Sequence, residues 1–532
     1  MLGTSKMFVK INLAVIIFLL QWISSVYSQT CVENDCKNGK GTLIYPDGGS
    51  YEGDFKNGRF DGHGKRIYDD GRIYEGEFKN GRYEGKGILI NADGGKYSGD
   101  FKSGKLDGEG FFTGASGQEY KGSWKNGLHD GQGEEIEING TKYIGSFVSG
   151  KKEGKGTITY LNGKTYNGDW KNNSYFGKGT LNNPNGEQYE GEFKNGSYEG
   201  IGKLTYADGS TYSGEFLLGN RNGKGVYDRS NHREHYEGQF KNGLYDGVGK
   251  IAYADGSTYS GEFLSGNRNG KGVFDRPNQR EHYEGEFKNG LYEGAGKLTY
   301  ADGSIYIGDF LSGNRNGKGL ISNPNGFKYS GMFANGSYEG IGTINYTDGG
   351  TYTGEFKTGL RDGKGTLIYP DKSVFEGKFR NNLPEGEGKM IYADSSIYIG
   401  ELRNGKREGK GTLNMRNGRQ YVGDFRNDFF DGNGSLTIPH QVTYTGGFRN
   451  GQYDGFGTTI NPKGMMIKGQ YRSGLLDGRC SIKLNDGTLI IGEYRYGVAD
   501  GKWSLENPSG QKKEWEMKDG MPDEIKDVLK GI

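Results

Sequence analysis

The sequence predicts an all-β chain, an elongated sheet or solenoid of stacked antiparallel β-hairpins with a short C-terminal helical cap. Three observations predict it. Nearly everything after Cys36 repeats with a period of 23 residues, as in Tyr189 to Thr211, YEGEFKNGSYEGIGKLTYADGST. Counted from the first Tyr of that unit, positions 1, 3 and 5 alternate with a charged pair at 2 and 4, and positions 12, 14, 16 and 18 alternate with polar 13, 15 and 17, the period-two signature of half-buried strands. Asn-Gly at 7 and 8 and Asp-Gly at 20 and 21 supply hairpin turns.

The units run in register from Tyr51 to Tyr444, with Phe375 once in place of the leading Tyr, and Ile467 and Ile490 continue the series. About twenty copies therefore occupy residues 51–512. The units from Tyr212 and Tyr259 are 24 residues long and carry related loops, DRSNHREH at 228–235 and DRPNQREH at 275–282, which points to a 47-residue duplication. Such repetition overrides a domain count from length, because a solenoid buries its core between neighbouring repeats.

Y-E-G-E-F-K-N-G followed by G-x-G-x-L-x-Y-x-D-G-S resembles the MORN (membrane occupation and recognition nexus) repeat, and the likeness covers residues 51–512. The resemblance implies hairpins stacked into an elongated, twisted sheet. It implies roles as scaffolds, dimerisation surfaces and membrane-associated adaptors, with phospholipid binding also proposed for the family. It does not imply catalysis, since MORN-bearing enzymes carry a separate catalytic domain after the repeats.

Within the unit, glycines at 8 and 21 are expected to supply positive φ at turns. Those at 3, 12 and 14 are expected on the inward face, where a missing side chain lets the aromatics at 1 and 5 lie across the backbone. Thirty-eight Tyr and twenty-seven Phe supply the burial. Two strands per repeat at about 4.8 Å spacing would extend twenty repeats to roughly 190 Å.

Residues 1–28 differ in kind. Lys6 and Lys10 precede the apolar run Ile11 to Ile23, and Val26 and Ser28 suit a cleavage site before Gln29, as in a secretory signal peptide. A retained N-terminal membrane anchor is the alternative. Residues 29–50 read as a partial first repeat whose Cys31 and Cys36 form a disulfide stapling the first edge, or remain two free thiols. Cys480 falls at position 14 of its unit and reads as a small buried thiol. Six Asn-x-Ser/Thr sequons, at Asn139, Asn172, Asn195, Asn335, Asn345 and Asn433, all lie at turns or outward strand positions, where a glycan fits.

The chain has 68 Lys and Arg against 67 Asp and Glu, interleaved along each unit, so cross-strand pairing is expected. No block of one sign offers a nucleic-acid surface, and the balance weakens the case for phospholipid. G-x-G recurs on strands without a following helix, so it is not a dinucleotide fingerprint. The carboxylates at positions 2 and 4 recur in many units, whereas a catalytic pair would be singular and in a cleft. His232, His235 and His282 lie in the two long loops and read as solvated. No catalytic, cofactor-binding or metal-binding residue is expected.

One row has functional promise. Position 10 is aromatic in Phe60, Tyr83, Tyr198, Tyr245, Tyr292, Tyr338 and Tyr453, each followed by Asp or Glu and then Gly. It either lines a ligand-contacting edge, suited to proteins or carbohydrates, or shields the hairpin loop. At the C-terminus, residues 513–532 form a degenerate unit, in which Trp515 stands where Gly should be and Pro522 opens a short helical stretch. With Trp503 it is expected to cap the last edge. The sequence thus predicts a secreted or lumenal, non-catalytic scaffold for protein partners, with self-association in keeping with the family resemblance. Its rivals are a membrane-tethered cytosolic adaptor for lipid or cytoskeleton, and an enzyme with its site in the long loops.

Overall fold

The computed structural model describes residues 29–517. They contain forty-three strands, two short 3-10 turns at Ser230–His232 and Pro277–Gln279, and no α-helix. The chain divides into two units, one reaching Asp255 and including Phe263–Gly266, the other comprising Gly256–Glu262 and the residues from Asn267 onward. In the first, an antiparallel meander leads from Thr30–Glu33 and Gly39–Ile44, strand beside strand, to Leu244–Ala252. In the second, the same meander leads from Asn267–Arg276 to Lys512–Met517.

The repeat from Tyr189 shows why the sequence folds this way. Strand Gln188–Lys194 pairs with Ser197–Thr205, and that strand with Thr211–Leu217. Asn195 and Gly196 both take positive φ, +50° and +83°. That is the two-residue turn whose twist matches its flanking strands. The second turn is different: Gly209 donates its N–H to the Tyr206 carbonyl, the Tyr206 N–H reaches the Ser210 carbonyl, and the Asp208 carboxylate accepts the Ser210 N–H at 2.9 Å. Only Gly209 there has positive φ, so Asp serves as a local acceptor rather than as a left-handed residue.

One face of each hairpin is aromatic. Tyr189 is fully buried and Phe193 nearly so, with their rings edge to face at 5.0 Å. The glycines of positions 3 and 14 sit opposite each other across the hairpin, as Gly191 and Gly202 do. A Cβ at Gly202 would lie 2.4–2.7 Å from the Tyr189 ring, so the ring occupies the space that any side chain would need.

Position 12 departs from expectation. Gly200 has φ +59°, and its missing Cβ would meet the Glu192 carboxylate rather than a ring. The pairing shifts at this point, between Gly191 and Glu192. Glycine here belongs to a β-bulge, where an extra residue needs a left-handed backbone.

The C-terminal end uses another packing. In the unit from Ile490 the leading ring is missing, and Trp503 stands at position 14 where Gly is usual. Its indole lies over Gly492, whose Cβ would meet it, and it is 1% exposed. Ile467, Cys480, Ile482, Ile490 and Met517 complete this apolar cluster, with Trp515 packed against it. The described residues do not support a helical cap: Lys512–Met517 is a further strand, pairing Trp515 with Trp503. The expected helical stretch from Pro522 lies outside the described residues, as does the expected signal segment 1–28.

Candidate interaction surface

The position-10 row is a second layer on the aromatic face. Phe60 stacks on Tyr51 at 3.7 Å between ring centroids, Tyr83 on Tyr74 at 3.7 Å, and Tyr198 on Tyr189 at 3.8 Å. Tyr245, Tyr292, Tyr338 and Tyr453 repeat this at 3.8–3.9 Å. Each ring also meets the position-5 ring of the next unit edge to face, as Tyr198 does Phe216 at 5.7 Å. All seven are half-buried. They cover the leading rings and keep one face partly open.

Three members of the row were missed in the sequence: Tyr175 on Tyr166, Phe430 on Tyr421, and His129 on Tyr120 at 3.5 Å. Phe176 after Tyr175 and the imidazole of His129 break the aromatic-acid-Gly pattern, whereas Phe430, followed by Asp431 and Gly432, fits it; the 23-residue register alone finds all three. In five other units an arginine fills the slot. Arg221, Arg268, Arg315, Arg361 and Arg407 lie near the leading ring and donate from Nη2 to the turn carbonyl of the next unit, at 2.6–2.8 Å.

The acidic residue at position 11 braces the same turn differently. The Glu199 carboxylate accepts the Leu218 N–H at 3.1 Å, and Asp61, Glu84, Glu293 and Glu408 do the same for Asn80, Ser103, Ser312 and Asn427. At position 4, Asp54, Asp100 and Asp169 accept the bulge N–H of position 13. Charged side chains therefore do more than form the expected cross-strand pairs, although those exist, as between Lys155 and Asp169 at 2.7 Å. Each carboxylate satisfies a backbone donor that the hairpin geometry leaves open.

This unit, repeated in register, matches the family pattern of the MORN repeat in nineteen segments between residues 33 and 466. The chain belongs to the MORN repeat family. The MORN pattern includes the partial first repeat at 33–50 but stops before Ile467, where the ring-over-glycine packing is replaced. No curated protein matches the chain. Among solved structures it is similar to the TCP domain of Drosophila melanogaster SAS-4 in complex with a proline-rich motif of Ana2, at 16% identity and TM-score 0.21, over 33% of this chain and 90% of that one. The G-box domain of the microcephaly protein CPAP matches at 18% identity and TM-score 0.18, over 38% and 100%. Virginiamycin B lyase from Staphylococcus aureus matches at 12% identity and TM-score 0.10, over 64% and 92%. Scores this low carry no argument about function.

The remaining candidate residues of the MORN chain fall as follows. Cys31 and Cys36 are joined by a disulfide that ties the first strand to the turn after it. All six sequon asparagines are exposed. Cys480 is 3% exposed, and burial pushes its thiol up to about 12. In the long loops His235 and His282 each hold a neighbouring aspartate, Asp228 and Asp275, through Nδ1 at 2.5 Å, and Tyr245 and Tyr292 donate to Glu234 and Glu281. Among the described residues no group of three His, Cys, Asp or Glu is placed to hold a metal ion.

At one place in the MORN array two carboxylates and an amine meet. Glu135 occupies position 16, where the next two units have Ile158 and Leu181, and Glu137 occupies position 18, where the next has Tyr160. Lys152, at position 10, reaches both carboxylates, at 2.9 and 3.3 Å, with its side chain 12% exposed. Burial lowers the pKa of neighbouring His129.

Proposed function

We propose that this MORN chain is a non-catalytic scaffold of the secretory pathway, exported and glycosylated, that presents its repetitive β surface to protein partners, a second copy of the chain among them. The observation that carries this is the equivalence of the units. The same stacked rings, braced turns and charged outward rows recur from repeat to repeat, which gives a partner many identical positions rather than one pocket. Interleaved charge favours protein partners over phospholipid or nucleic acid. The exposed sequons and the Cys31–Cys36 disulfide suit an oxidising compartment. Apart from the meeting of Glu135, Glu137 and Lys152, the units repeat the same groups, whereas a reaction centre is singular.

Intact-mass analysis before and after glycosidase treatment tests the compartment. The expected product begins at Gln29, carries one disulfide and loses mass on deglycosylation. An unprocessed Met1 terminus with no glycan mass would favour the membrane-tethered cytosolic adaptor instead. Sedimentation of the purified protein across a concentration series would read self-association directly.

A further inference from the structure

The departures at Glu135, Glu137 and Lys152 lie between two open clefts on the aromatic face, both within the first unit. One, of about 640 Å³, is lined by the three charged residues together with Lys164, Tyr160, Trp170 and Tyr175, among others. The other, of about 580 Å³, shares Glu135 and Glu137 and adds Trp124, Tyr120 and His129. Both volumes fall in the range of small-ligand sites.

An apolar residue fills position 16 in most units, Arg66 and Thr459 being other exceptions, and carrying a carboxylate there costs desolvation that Lys152, at 2.9 Å, offsets. The adjoining second cleft, which Trp124 lines, gives a further sign of unmet polarity. Trp124 is 8% exposed and its indole Nε1 has no hydrogen-bond partner, whereas the equivalent Trp170 donates to the Gly156 carbonyl at 3.1 Å. A buried donor left open is costly.

We infer that the first cleft binds a neutral oligosaccharide. Its two carboxylates and two amines balance, so neither an anion nor a cation is favoured by the field of the site. Sugar hydroxyls both donate and accept, and so match a lining that offers carboxylates, amines and the Tyr160 and Tyr175 hydroxyls, which bond to each other at 2.8 Å. Tyr175 lies on Tyr166 at 3.8 Å, and Tyr166 is fully buried. The outer face of Tyr175 is therefore the exposed one, a platform for the C–H face of a pyranose ring. The site does not depend on the protein-scaffold reading, because its Glu135, Glu137 and Lys152 cluster occurs at one place among the described residues, although its Tyr160–Tyr175 pair recurs as Tyr68–Tyr83.

The test is calorimetric titration of the full mature chain with maltohexaose, cellohexaose, mannohexaose and N-acetylchitohexaose, and with a heparin hexasaccharide as the charged comparison. At least one neutral sugar is expected to bind. Glu137→Gln and Tyr175→Phe, each of which removes only polar contacts, should weaken it on the order of tenfold with the thermal midpoint unchanged. Glu339→Gln, in a distant unit, should have no effect. Failure of all four neutral sugars, binding equal in the wild type and both variants, or binding of the heparin fragment alone would overturn the assignment.

Discussion

The Tyr189 hydroxyl donates to the carbonyl of Glu192, three residues on in the same strand, at 2.9 Å. That bond draws the ring back along its own strand and lays it across Gly191 and Gly202. The same bond recurs at Tyr51, Tyr74, Tyr212, Tyr283 and Tyr398, at 2.6–2.9 Å. Ring, hydroxyl and paired glycines are one device.

Replacing Gly202 with Ala puts a Cβ inside the Tyr189 ring's contact distance. The expected cost is about 1–3 kcal/mol, confined to neighbouring units because stability in repeat arrays is a local sum. Hydrogen exchange should show lost protection around residues 188–217 and unchanged protection in the second unit. Tyr189→Phe should cost less, about 0.5–1.5 kcal/mol, because it removes only the hydroxyl bond. Phe375, fully buried without such a hydroxyl, shows that the ring alone can hold the place.

Trp503 and Ile490 offer a reciprocal exchange. Trp503→Gly alone should open a cavity and cost about 3–5 kcal/mol. Ile490→Tyr together with Trp503→Gly restores the usual pairing of a leading ring with a bare position 14, and should recover most of the loss. Chemical denaturation of the single and double variants would measure the coupling; additive losses would mean that the two packings are not alternatives.

Alkaline pH should unfold the array cooperatively. Burial, first among the causes, raises the leading tyrosines above their ordinary value of 10.0, Tyr97 and Tyr306 to about 12. A raised folded pKa means that the contribution is fully present below pH 10 and is lost as pH climbs through the folded value. Tyrosinate absorbance should therefore stay low past pH 10 and then rise together with loss of β circular dichroism. A gradual rise with the sheet intact would show that the rings are more accessible than their packing indicates.

The acid limb has the opposite sign. Asp208, Asp302 and Asp394 are held below the usual carboxylate range, chiefly by the backbone N–H two residues on. Their contribution is present above the ordinary value of 3.8 and is lost as pH falls through the folded one. Asp208→Asn keeps an acceptor in the turn and should flatten this part of the acid dependence, as thermal melts between pH 5 and pH 2 would show.

Much of the fold is written in the chain. A 23-residue period, alternation of two, and Asn-Gly turns determine the hairpins, their register and the identity of the aromatic face, because each follows from backbone geometry and from a side chain's direction on a strand. What the sequence left open depended on side-chain contacts within and between units. Only tertiary structure decided that position 12 is a bulge glycine, that the position-11 acid braces the next unit's turn, and that the position-10 ring lies on the leading ring. It also decided that Trp503 takes over from a missing tyrosine and that Glu135, Glu137 and Lys152 converge. Those relations join residues 8 to 19 positions apart through ring faces and backbone donors, and no local propensity encodes which neighbour will fill a given space.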